Sequence, residues 1–163
     1  MAEPRKLTPA EEARLAQVRD QFKQKQAISN SLNSIKYRIG VYSGKGGVGK
    51  TTVTTNLALT LAKHGRKVAI LDCDIDCPNV TRVLRISERP GADNEGKMIP
   101  PSKHGVSVMS MGFFQENEDE AIVWRGPMIH NAINQFISKT NWGDIDYLIC
   151  DLPPGTSDAP LTV

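Results

Sequence analysis

"GVYSGKGGVGKTTVTTN", residues 40–56, decides the fold. Between Gly44 and Lys50 six of the seven residues are Gly or Lys, and an apolar stretch leads directly into them. A loop with so little side chain lets backbone N–H groups close around a ligand, and two lysines make that ligand an anion. Gly44-Lys45-Gly46-Gly47-Val48-Gly49-Lys50-Thr51 satisfies G-x-x-x-x-G-K-[ST] in full. The motif demands a strand before it and a helix after it. "YRIGVYS" (37–43) reads as that strand, and Val53, Leu57, Ala58, Leu61 and Ala62 keep helical spacing up to a Lys63-His64-Gly65 stop. The glycines would admit phosphate oxygens, and the helix would add its positive N-terminal end. Lys50 would reach β- and γ-phosphates, and the Thr51 hydroxyl would ligate Mg²⁺. The candidate phosphate-binding set is therefore Gly44 to Thr51, namely Gly44, Lys45, Gly46, Gly47, Val48, Gly49, Lys50 and Thr51, with Thr52 beside it.

Outward from the loop, strands and helices alternate. "KVAILD" (67–72) and "YLICD" (147–151) are short apolar strands, and "VSVMSM" (106–111) is another. Pro127 opens a helix in which Ile129, Ala132, Ile133, Phe136 and Ile137 follow the i, i+3, i+4, i+7, i+8 pattern. The alternation predicts an α/β fold, a mostly parallel sheet with helices on both faces, as in P-loop NTPases. Residues 86–105, rich in Pro, Gly and charge, read as a mobile loop.

Two segments lie apart from this core. Residues 1–35 read as an N-terminal helix and linker, and 36–163 as the N-terminal part of a P-loop ATPase domain. Thr8-Pro9-Ala10-Glu11 fits a capping box with Pro at the first helical position. A helix is expected over 8–26, with Leu15, Val18 and Phe22 on a narrow stripe, then a polar linker from Ser29 to Ser34. At the other end, Pro153-Pro154-Gly155 makes a turn and Ser157-Asp158-Ala159-Pro160 resembles a helix start, so a sheet short of its remaining strands is expected.

Composition narrows the function classes. The 163 residues are 39% hydrophobic and 23% charged, with a net charge of +2. That balance suits one globular domain and gives no reason to expect a nucleic-acid or membrane partner. The start, "MAEPRKLTPAEEARL", has no apolar h-region. Three cysteines, an odd number, make no secreted disulfide framework. A cytoplasmic, reducing setting is the expectation.

Acidic residues complete the candidate site. Asp151 ends an apolar strand, where a Walker-B aspartate would serve Mg²⁺, and the Gly155 N–H could sense a γ-phosphate. Asp72, Asp74 and Asp76 cluster after the second strand, and one of them could orient an attacking water. Cys73 and Cys77 have C-x-x-x-C spacing, but two thiolates do not complete a metal site. Cys150 falls inside a strand and reads as core. Trp124 and Arg125 read as structural.

"KGGVGKT" resembles the deviant Walker A of the MinD/ParA/nitrogenase-iron-protein group. "GFFQENEDEAIVWRGPM" (112–128), "DLPPGTSDAPLTV" (151–163) and "LDCDIDCPNV" (71–80) are similar to signatures of the Mrp family of iron–sulfur cluster carrier ATPases. The resemblance covers about residues 35–163. It departs from the pattern at Cys77 and Ser157, where the family more often has Gly. It implies slow ATP hydrolysis and ATP as the nucleotide. It implies a homodimer in which Lys45 reaches the partner's nucleotide, and makes Asp74 the water-orienting residue. Lys45, Lys50 and Asp74 are thus the candidate catalytic residues, with Thr51 and Asp151 on Mg²⁺. The resemblance also implies apo iron–sulfur proteins as clients, and a [4Fe–4S] cluster held by a C-x-x-C from each of two subunits, ligands that would lie beyond Val163. A partitioning or positioning ATPase of the ParA/MinD type, with no cluster, is the alternative.

Overall fold

The computed structural model describes residues 8–74, 77–114 and 126–155. Its elements in chain order are α1 (Pro9–Asn33), β1 (Tyr37–Val41), α2 (Lys50–Lys63), β2 (Val68–Asp72), α3 (Val80–Leu84), β3 (Gly91–Ala92), β4 (Met98–Ile99), β5 (Ser102–Lys103), β6 (Val106–Ser110), α4 (Gly126–Lys139) and β7 (Tyr147–Asp151). A single 3₁₀ turn, Met111–Phe113, follows β6.

The main sheet has the order β1-β7-β2-β6-β5. Its first four strands are parallel, and β5 pairs antiparallel at one edge. Strand β2 is buried along its whole length, as expected of a parallel strand covered on both faces. Alternating residues feed two separate cores. Ala69, Leu71, Met109, Leu148 and Cys150 pack under Ile133, Phe136 and Ile137 of α4, while Val68, Ile70, Val106, Val108 and Ile149 pack with Ala58 of α2 and with Val80 and Leu84 of α3. Helices therefore cover both faces, as the alternation of elements predicts.

Asp146 fastens the lower end of the sheet. Its carboxylate accepts from Lys36 Nζ at 2.6 Å and from the Lys67 N–H at 3.0 Å, and its backbone N–H bonds the Lys67 carbonyl at 2.8 Å. The Tyr37 N–H in turn bonds the Asp146 carbonyl. One residue thus joins the entries of three neighbouring strands, β1, β7 and β2.

Three sequence expectations change. Helix α1 keeps its capping box at Thr8 but runs to Asn33, so the segment read as a polar linker is its last turns. Ile28 and Leu32 hold it there, packed against the α4-side core, whereas Leu15, Val18 and Phe22 are exposed. Residues 86–105 are not an irregular loop: β3 and β4 form a hairpin whose turn is tied by Asp93, which accepts the N–H groups of Glu95 and Lys97. Asn141 pins that hairpin, donating to Asp93 at 2.9 Å and to the Met98 carbonyl at 2.8 Å. In α2, Val53 is exposed, and Thr54, Thr55 and Ala58 form the buried face.

Candidate nucleotide site

The glycine loop leaves β1 and enters α2 at the C-terminal ends of the parallel strands. Gly47 and Gly49 have φ of 71° and 94°, a left-handed backbone that favours glycine. Among the described residues, no atom beyond the adjoining ones lies within 4 Å of where a Cβ would stand on Gly44, Gly46, Gly47 or Gly49, so the loop faces open space that oxygens could fill. Gly49 is also the N-cap of α2 and supplies no side-chain cap, leaving first-turn N–H groups for an anion. Ser43 shapes the loop's start, donating its hydroxyl to the Lys45 carbonyl at 2.7 Å. The Gly155 N–H bonds the Ser43 carbonyl at 3.2 Å, which places the turn after β7 beside the loop.

Asp151 lies at the centre. Its Oδ2 accepts from Thr51 Oγ1 at 2.6 Å and its Oδ1 from Thr54 Oγ1 at 3.0 Å. The carboxylate is buried at the end of β7. A hydroxyl and a carboxylate this close are hard oxygen donors suited to Mg²⁺. The sequence brings Thr51 and Asp151 together from 100 residues apart because β1 and β7 are neighbours in register, with Val41 opposite Asp151.

Asp72 is opposite Asp151 on β2, in the same register row. Burial and the Asp151 charge push its carboxyl up to about 7, although Ser110 and the N–H groups of Val80 and Asp74 all donate to it. Asp74 is half-buried two residues on, and its Oδ1 accepts the Cys77 N–H at 3.3 Å. Lys45 and Val48 are exposed, as is Thr52, and Lys50 is half-buried at the head of α2. Asp76, Trp124 and Arg125 lie outside the described residues, as does the expected helix start at Ser157.

The cysteines separate differently from their spacing. Cys73 is buried and Cys77 exposed, so they are not a pair of loop thiols. Cys73 faces Cys150 in the core, and that thiol neighbour together with burial pushes the Cys73 thiol well up. No group of three or more metal-ligating side chains occurs among the described residues. Thr54 and Ser110 were not singled out by the sequence reading; the only signal for either is a hydroxyl on an otherwise apolar, inward-facing position.

Residues 34–163 match the ParA family profile described as "NUBPL iron-transfer P-loop NTPase". The chain is 46% identical over 136 residues to the iron–sulfur cluster carrier protein of Methanococcus maripaludis, covering 83% of this chain and 47% of the relative. It is 45% identical over 135 residues to the cytosolic Fe–S cluster assembly factor NUBP2 of Mus musculus, covering 81% and 49%. Among solved structures, a nucleotide-binding protein in complex with ADP from Archaeoglobus fulgidus aligns at 40% identity and a TM-score of 0.71, over 85% of this chain and 53% of that one. MinD from Pyrococcus horikoshii, complexed with Mg-ADP, shares the fold at a TM-score of 0.51. The chain spans about half the length of the curated relatives it matches. With its glycine loop, acid-tipped strand β7 and parallel sheet in that arrangement, the chain belongs to the ParA/NUBPL-type family of P-loop NTPases.

Proposed function

We propose that this chain is the nucleotide-binding part of an ATP-dependent carrier that binds iron–sulfur clusters and passes them to apoproteins as a homodimer. The observation that carries the reading is the open glycine loop beside the Thr51–Asp151 pair, in a family whose relatives are named cluster carriers. In this reading ATP lays its phosphates along the N–H groups of Gly44 to Thr51, with Thr52 on the first turn of α2. Lys50 contacts β- and γ-phosphate oxygens within its own subunit. Thr51 and Asp151 hold Mg²⁺, which when bound neutralises charge on those phosphates. The exposed Lys45 reaches the partner's nucleotide, and the Gly155 N–H reports the γ-phosphate to the turn after β7. Asp74 orients the attacking water, and hydrolysis is slow.

The cluster is cargo, and the cysteines of this chain do not suit it. A [4Fe–4S] cluster takes four thiolates, whereas Cys73 and Cys150 are in the core and only Cys77 is exposed. Anaerobic reconstitution, followed by absorbance and iron counting, should therefore leave residues 1–163 without a cluster. The longest form of the polypeptide carrying these residues should hold one and transfer it to an apo-ferredoxin in an ATP-dependent manner. A cluster on residues 1–163 lost in Cys77→Ser would move the site onto this chain. No cluster on the longer form would favour a partitioning-type switch instead.

A further inference from the structure

The buried Asp72 accepts three hydrogen bonds, two of them from backbone N–H groups on either side of the segment that follows β2. Its Oδ1 accepts the Asp74 N–H at 3.2 Å. Its Oδ2 accepts the Val80 N–H at 3.3 Å and the Ser110 hydroxyl at 3.0 Å. Ser110 is itself fixed, because its Oγ accepts the Gly112 N–H at 3.0 Å. One carboxylate thus grips the chain where it leaves β2, at Asp74, and where it re-enters regular structure, at the start of α3. The Ser110 hydroxyl ties that grip to β6 and to the 3₁₀ turn behind it.

We propose that Asp72 is a positioning residue, a clamp that sets where the Asp74 carboxylate stands in the nucleotide site. The proposal rests on the water-orienting reading of Asp74 given above. The chemistry calls for a carboxylate. Three donors converge on two oxygens, so an acceptor-only group is needed. An asparagine of the same shape can accept at one position only. Whichever way the amide turns, its NH₂ faces the N–H of Asp74 or of Val80, donor against donor. Asp72→Asn therefore releases one side of the clamp and keeps most of the packing. Ser110→Ala is milder, removing one donor and leaving both backbone contacts.

Hydrogen exchange and hydrolysis test the clamp together. In Asp72→Asn, the Asp74 or the Val80 amide should exchange faster, while those of Leu148 and Ile149 in β7 keep wild-type protection. ATP turnover should fall between about 10- and 100-fold, the scale of a misplaced catalytic group, with KM and nucleotide affinity held. Combining Asp72→Asn with Asp74→Asn should cost no more than Asp74→Asn alone, because both act through one carboxylate. Ser110→Ala should show the same pattern, reduced, and serves where Asp72→Asn loses β7 protection and has unfolded. Unchanged exchange at both amides overturns the clamp, as do losses that multiply in the double variant. Should Asp74→Asn turn over ATP at the wild-type rate, the water-orienting reading falls by itself, and the two amides alone then decide whether the clamp exists.

Discussion

At the scale of single residues, the proposed function gives the two lysines of the glycine loop different tasks. Lys50 begins α2 and is half-buried, whereas Lys45 is exposed on the loop. Lys50→Ala should lose nucleotide affinity outright. Lys45→Ala should keep affinity for ATP yet lose ATP-dependent dimerisation and turnover, which titration coupled to sedimentation will separate; an equal loss of binding in both would end the trans role. The places of the loop and of Asp151 are legible because their signals are local: a fixed spacing, and an acid at the end of an apolar run. Thr54, Ser110 and the clamping role of Asp72 are not. Each depends on which strand lies beside which, and a row such as Val41, Asp151 and Asp72 exists only once β7 is inserted between β1 and β2.

At the scale of elements, two joints carry tests. The turn after β6 passes close to α3: a Cβ on Gly112 would stand 3.0 Å from Thr81 Oγ1 and 3.3 Å from Ser110 Oγ. Gly112→Ala should destabilise the fold by about 1–3 kcal/mol through overpacking, read as a lower urea midpoint at unchanged slope. The second joint is Asp146, whose carboxyl the Lys36 ammonium and the Lys67 N–H hold below its usual value of 3.8. A depressed carboxyl contributes stability above its unfolded pKa and loses it as pH falls through the folded one. Asp146→Asn should therefore lower stability at pH 7 and flatten the pH dependence below about 4, with urea titrations at pH 3 to 7 as the measurement. Periodic elements such as α4 were readable from one face of apolar residues. The end of α1 was not, because a Ser- and Asn-rich run looks like a linker until Ile28 and Leu32 find a core to pack on.

At the scale of the whole molecule, the sheet separates two cores and gathers the polar ends of its strands at one edge of both. Asp72, Asp151, Thr54 and Ser110 are all buried there. The alternation of strands and helices foretold the layers, but not that so much buried polarity would collect where they meet. Helix α2 starts at this place with Gly49 as its cap and no side chain to complete its first turn. In the proposed reading a phosphate supplies that cap, so its binding should also stabilise the fold. Melting temperature should rise with ATP concentration: a ligand at 100 times its Kd adds about 2.7 kcal/mol to the folded state. Differential scanning calorimetry without and with Mg-ATP checks this, and Lys50→Ala should blunt the rise. If a nucleotide finishes this helix, the chain's resistance to proteases should follow the occupancy of the glycine loop, whether ATP or ADP fills it.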